Sequence, residues 1–137
     1  MYLTKNTVRM HDTDMAGILY FPRQFRFAND AWEDLMDLEK ISFQKVFTQG
    51  SYVYVIVHAE SDYKTALHIG DKLDVKIEVK AIGNTSFTIV TYIMRDNELV
   101  GITKTVQVCI DRMTRKKIRV PDELREILSK YMNVEPK

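Results

Sequence analysis

Between Pro22 and Leu38 the apolar residues recur with a helical period. On a wheel of about 100° per residue, Phe25, Phe27, Ala28, Ala31, Trp32, Leu35, Met36 and Leu38 fill one half. Arg23, Arg26, Asp30, Glu33, Asp34 and Asp37 fill the other, with Asn29 at the border. Pro22 suits the first turn of this helix, where its missing N–H costs nothing. Two phenylalanines and a tryptophan make the apolar half too wide for a coiled-coil seam. Such a helix needs a concave sheet to cover it.

The rest of the chain supplies alternating, strand-like patterns. Tyr2–Met10 reads as an edge strand, with Tyr2, Val8 and Met10 on one face and Lys5 and Arg9 on the other. Ile41–Gln49 is a short helix or a lid-like segment closed by Gly50. Tyr52–Tyr63 sets Val53, Val55, Val57 and Ala59 against Tyr54, Ile56, His58 and Glu60. Asp71–Ile82 is the most regular run. Leu73, Val75, Ile77, Val79 and Ala81 are expected inside, and Asp74, Lys76, Glu78 and Lys80 in water. A Gly83–Ser86 turn leads into Phe87–Arg95, and Asp96-Asn97 turns into Leu99–Asp111. Lys116–Val120 is short and read as extended. Pro121 then opens a terminal helix with Leu124, Ile127, Leu128 and Tyr131 on one face. The order of strand, long helix, antiparallel strands and small helix predicts an α+β domain over 1–137, one curved antiparallel sheet around a long central helix.

Composition narrows the class. A chain of 137 residues is long enough to bury a core without staples. Its net charge of +1 gives no basic excess pointing to nucleic acid. Cys109 is the one cysteine, so no intrachain disulfide is expected and a reducing, cytoplasmic setting fits. No signal-like leader and no apolar run of membrane-spanning length is present. The chain has no Ser nucleophile elbow, P-loop or dinucleotide fingerprint, and no His/Cys spacing suited to a metal. No cofactor or metal is therefore expected.

The candidate chemistry lies in His11–Trp32, where an acidic, Gly-containing turn (Asp12, Asp14, Gly17) runs into the helix through Ile18–Phe21. The run Asp12-Thr-Asp14-Met-Ala-Gly17-Ile-Leu-Tyr20-Phe21-Pro22 before an aromatic-rich helix resembles the hotdog-fold acyl-CoA thioesterases. It is most similar to the 4-hydroxybenzoyl-CoA thioesterase group and its cousins acting on dihydroxynaphthoyl-CoA and short acyl-CoAs. That resemblance implies a hotdog fold and hydrolysis of an aromatic or short-to-medium acyl-CoA, with coenzyme A present only as part of the substrate. It implies Asp14 as nucleophile or general base, and the backbone N–H of Phe21 as the group polarising the thioester carbonyl. Both assignments make chemical sense. A carbonyl under attack gains negative charge on oxygen, which helix-start N–H groups stabilise, and a carboxylate can attack it or deprotonate water.

Gly17, Tyr20 and Phe25 are the candidate substrate-binding residues, Gly17 for positive φ or close approach of substrate. The acyl group is expected between the helix and a neighbouring subunit's sheet, beside Phe25 and the Tyr52–Ile56 strand. A homo-oligomer follows, at least a dimer and by resemblance a tetramer. Asp12 is expected to be structural, bonded within the turn. His11, His58 and Cys109 have no telling partners, and Glu60 beside His58 is not among the candidates. Where the hydroxybenzoyl enzyme has a basic cluster for the coenzyme A phosphates, this chain has Gly83, Asn84 and Thr85, which leaves Lys80 or the Arg115–Lys117 run. The competing reading is a non-catalytic acyl-CoA-binding or regulatory hotdog domain.

Overall fold

The structure, a computed structural model, describes residues 1–132. Five strands form one antiparallel sheet: β1 (Tyr2–Thr7), β2 (Tyr52–Tyr63), β3 (Lys72–Ile82), β4 (Ser86–Arg95) and β5 (Glu98–Asp111). Their order across the sheet is β1-β3-β4-β5-β2, so β1 and β2 are its two edges. The long helix α1 (Gln24–Leu38) lies on the concave face, with the short helices α2 (Phe43–Gln49) and α3 (Asp122–Lys130) beside it. This is the hotdog arrangement that the pattern predicts.

The core divides at the middle of α1. Toward its N-terminal half, Phe27 and Ala31 meet Val8, Leu67, Leu73, Val75, Ile93 and Val100. Toward its C-terminal half, Trp32, Leu35 and Met36 meet Ile77, Val79, Phe87 and Ile89, with Leu124, Ile127 and Leu128 of α3 closing the end. Each fully buried aliphatic or aromatic side chain contributes about 1.5–3 kcal/mol. Two rows of them explain why the helix stays seated on the sheet.

Several details differ from the sequence pattern, each for a local reason. The first strand stops at Thr7. Val8 is buried outside it, and Met10 sits exposed in a single 3-10 turn over Met10–Asp12. A second 3-10 turn, Phe21–Arg23, holds Pro22, so the α-helix proper starts at Gln24. The buried face of α1 runs through Gln24, Phe27/Ala28, Ala31 and Leu35, which leaves Phe25 half-buried and Leu38 exposed. A bulge between Ile56 and His58 moves Val57 out of register. Tyr54, Ile56 and Ala59 therefore share the inner side of β2, and Val53, Val55, His58 and Glu60 the outer. A bulge between Val79 and Ala81 does the same in β3: Ile82 pairs with Phe87 on the inner side, and Ala81 turns out. Glu78, expected in water, is only 5% exposed on the outer face. Lys116–Val120 forms no named strand, but it runs beside the end of β5 through the Ile110–Lys117 bridge and the Ile118 N–H to Cys109 O bond at 3.0 Å, and Val120 is buried in the core.

One buried charge joins the entry to α1. Asp12 is fully buried. Its carboxylate accepts hydrogen bonds from Arg26 Nε (2.7 Å) and Nη2 (2.5 Å), the Arg9 N–H (2.8 Å) and Arg23 Nε (3.3 Å). Arg26 also donates to Asp30 at 2.7 Å and to the Thr7 carbonyl at 2.9 Å. The end of β1, the first 3-10 turn and the first turns of α1 are thereby tied to one carboxylate. Burial pushes the Asp12 pKa up, but the Arg26 hydrogen bond, the Arg9 N–H and the charges of Arg26 and His11 outweigh it and hold it below the ordinary value.

A carboxylate more acidic when folded than unfolded stabilises the fold above its unfolded pKa, and that contribution fades as pH falls toward the native one. Urea titrations should show stability dropping as pH goes below about 4, and Asp12→Asn should flatten that dependence. Arg26→Met should cost about 3–5 kcal/mol at neutral pH, because it strands a buried charge.

Candidate active site

From Asp12 the chain makes a small hairpin and comes back. Thr13 bridges Leu19, the Asp14 N–H bonds Ile18 O at 2.9 Å, and the Tyr20 N–H bonds Asp12 O at 2.8 Å. The tip is a tight turn, with the Gly17 N–H donating to Asp14 O at 3.1 Å and Gly17 at φ +76°, where a side chain would be strained. The buried Asp12 anchors the base of this hairpin, so Phe21 begins one residue past its last rung.

Asp14 is exposed at the turn. Its Oδ1 accepts from the Ala16 N–H (2.9 Å) and Ile18 N–H (3.4 Å). Among the described residues its Oδ2 takes no hydrogen bond, so one oxygen fixes the side chain and the other faces out.

The second part of the site is the opening of the helix. The Arg23 N–H bonds Tyr20 O at 2.9 Å, and Pro22 has no N–H. Of the first three residues of that turn, only Phe21 keeps an N–H that meets no acceptor among the described residues. A donor at the start of a helix, pointing away from it, suits a developing oxyanion. Tyr20 and Phe21 stack their rings at 5.4 Å and remain exposed, with Phe21 at 64% and Met15 at the hairpin tip wholly open. Beside Phe21 lies a cavity of about 330 Å³, walled by Ile18, Leu19, Phe21, Tyr63 and Ala66–Leu67. The three candidate ligand contacts from sequence, Gly17, Tyr20 and Phe25, do not line it.

A second cavity, about 400 Å³, opens where α1 and α2 meet the free edge of β2. Its walls include Asn29, Trp32, Phe43, Phe47, Tyr54 and Ile56. Trp32 and Tyr54 are more than nine-tenths buried, yet Trp32 Nε1 and Tyr54 Oη find no hydrogen-bond partner. Burial pushes the Tyr54 pKa up, and the Trp32 N–H facing its hydroxyl pulls it partly back without reaching hydrogen-bond geometry, so at neutral pH the group is a hydroxyl able to donate and accept. Such unpaired buried polar atoms are costly unless something else satisfies them.

The candidates thus fall into place unevenly. Asp14, Gly17, Tyr20 and Phe21 share one hairpin and helix start, while Phe25 stands apart from the cavity beside them. Asp12 does more than cap a turn, since it is the hub of the arginine network. The wheel assigned Arg26 to water and overlooked Gln24. Gln24 could have been found from its spacing, four residues before Ala28 and seven before Ala31, on the buried stripe. Lys80 sits at the β3 bulge and lies 3.9 Å from Glu78. The Arg115–Lys117 run closes a turn after β5, with Arg115 at φ +64°. Among the described residues, no group of three or more His, Cys, Asp or Glu could hold a metal ion, and no helix is long and apolar enough to cross a membrane.

Comparison with known proteins bears on the family and the fold. Residues 8–128 match the model of the Thioesterase-like superfamily. A 1,4-dihydroxy-2-naphthoyl-CoA hydrolase from Nostoc punctiforme is 34% identical over 118 residues, covering 86% of this chain and 80% of that one. One from Synechococcus elongatus is 28% identical over 128 residues, covering 93% and 94%. The solved structure of a 1,4-dihydroxy-2-naphthoyl-CoA thioesterase from Synechocystis superposes with a TM-score of 0.87 at 26% identity, covering 93% of this chain and 95% of that one. On its sequence match and its fold, the chain belongs to the Thioesterase-like superfamily and is a thioester hydrolase.

Proposed function

We propose that the protein hydrolyses the thioester of an aromatic acyl-CoA, releasing the aromatic acid and coenzyme A. The observation that carries this reading is the pairing of a half-free carboxylate, Asp14, with the lone N–H of Phe21 on one anchored hairpin and helix start. The thioester carbonyl oxygen takes the Phe21 N–H, and negative charge developing there is stabilised without reorganisation. Asp14 Oδ2 either attacks the carbonyl carbon, expelling the thiolate and leaving an anhydride that water opens, or takes a proton from the attacking water. Coenzyme A enters as part of the substrate and leaves as the free thiol, and the proposed reaction needs no other cofactor.

The aromatic ring is assigned to the cavity beside Trp32 and Tyr54, contributed by a second copy. The edge strand β2 is long and exposed, with Val55, Ile56 and Val57 between 40% and 60% open. Such an edge invites a further strand. Two copies pairing antiparallel through β2 set the Tyr54 end of one against the Tyr63 end of the other, next to Phe21. The unpaired Trp32 N–H and Tyr54 hydroxyl then give polar contacts to ring hydroxyls. The named relatives act on a dihydroxynaphthoyl thioester, which fits that chemistry. The resemblance extends the dimer to a tetramer, and the cytoplasm is the setting proposed for it.

Three measurements test this reading. Asp14→Asn is nearly isosteric and should keep the melting temperature while lowering kcat by about 10²–10⁴. Asp12→Asn should cost more in stability than in turnover, and the reverse pattern would misassign the carboxylate. Across a panel of aroyl- and alkanoyl-CoAs, hydroxylated aroyl thioesters should show the highest kcat/KM, and Tyr54→Phe should lower their advantage by about tenfold, the worth of one hydrogen bond. A panel with no turnover anywhere would favour a binding domain. Light scattering should find at least a dimer at micromolar concentration, and Val57→Lys should break it. A stable wild-type monomer would contradict the assembly.

A further inference from the structure

The start of α1 is held by more than its own turn. Phe21 O accepts the Tyr63 hydroxyl at 2.5 Å, from the last residue of β2. One turn on, Gln24 is 1% exposed and its Nε2 donates to Ser61 Oγ at 2.8 Å and to Asp62 O at 2.9 Å. On the neighbouring strand stands Gly101, where an added Cβ would lie 2.3 Å from Gln24 Oε1. The Gln24 amide is therefore bonded on one side and walled on the other, with glycine the residue that leaves it room.

These contacts bear on one donor. In a trans peptide the C=O and N–H point in opposite directions, so fixing the Tyr20 carbonyl fixes the Phe21 N–H. The Tyr20 carbonyl is held by the Arg23 N–H at 2.9 Å. The following peptide is held at Phe21 O by Tyr63. Phe21 is thus pinned on both sides, and its side facing the sheet is pinned by groups from the C-terminal end of β2. Nothing in hairpin or helix propensity asks for this, because the 3-10 turn already closes with main-chain bonds alone.

We infer that Tyr63, supported by Gln24, is a positioning residue that aims the Phe21 N–H at the reacting carbonyl. This rests on the reading of Phe21 as the oxyanion donor. An oxyanion donor acts only within about 2.7–3.1 Å of where the charge appears, and a displacement near 1 Å can cost about 10²-fold. Tyr63 is 45% exposed, so removing its hydroxyl lets water reach Phe21 O and leaves no buried group unpaired. The fold should tolerate that loss while the aim of the donor suffers.

The test is Tyr63→Phe, with kcat and KM for a hydroxyaroyl-CoA, the thermal midpoint, and the amide resonance of Phe21 in ¹⁵N-labelled full-length protein. The expected result is kcat lower by about 10- to 100-fold, KM within about twofold, an unchanged midpoint, and a shifted Phe21 amide signal that exchanges faster. Gln24→Leu should repeat the kcat loss with a lower midpoint. Tyr63→Phe with wild-type kcat, or with a raised KM alone, would overturn the inference, the latter by showing a direct substrate contact. If the wild-type protein turned over no acyl-CoA, the functional reading would fail by itself, and a Phe21 amide unmoved in Tyr63→Phe would still overturn the positioning role.

Discussion

A single buried carboxylate decides how this chain enters its central helix. Asp12 has no contact with water, and four donors from Arg9, Arg23 and Arg26 converge on it. Taking that charge out of water is costly, and the bidentate arginine with its added hydrogen bonds offsets the cost. The geometry this imposes is narrow. The end of β1, the Asp14 hairpin and the first turns of α1 must all meet at one point, and Asp14 and Phe21 inherit their places from it. The two aspartates of the motif therefore divide the work: one is buried to hold the frame, and its neighbour two residues on is left exposed.

Exposure is the common property of the candidate site and its surroundings. Asp14, Tyr20, Phe21 and Met15 face outward, and the nearby β2 edge carries Val55–Val57 uncovered. In the proposed reading, a second copy supplies the cover that would exclude water from this surface. The proposed pairing through β2 would cover the open edge, the open site and the aromatic cavity with a single contact.

Much of the fold was legible because two periods dominate the sequence. The stripe from Phe27 to Met36 and the alternation from Leu73 to Val79 each name their buried face directly. What escaped the pattern was set by tertiary context. The bulges at Val57 and Lys80 shift the phase by one residue, and alternation cannot show where an extra residue sits. Gln24 and Arg26 are polar residues whose burial depends on partners far along the chain, at Ser61 and at Asp12. The hairpin residues Asp14, Gly17 and Phe21 could be singled out because they are contiguous. Tyr54 is expected only as part of the Tyr52–Ile56 strand, and Tyr63 not at all, because only the folded sheet brings one to the aromatic cavity and the other to the helix start.

The central claim is that a thioester carbonyl sits between Asp14 and the Phe21 N–H, with its aromatic group in a neighbouring copy's cavity. A crystal structure of the Asp14→Asn variant with an unhydrolysed hydroxyaroyl-CoA addresses it most directly. The account predicts the carbonyl oxygen within about 3 Å of the Phe21 nitrogen, the substituted amide side chain against the carbonyl carbon, and a ring hydroxyl bonded to Tyr54 or Trp32 of the second copy. A ligand bound with its thioester away from Phe21, or with its ring outside that cavity, would contradict it.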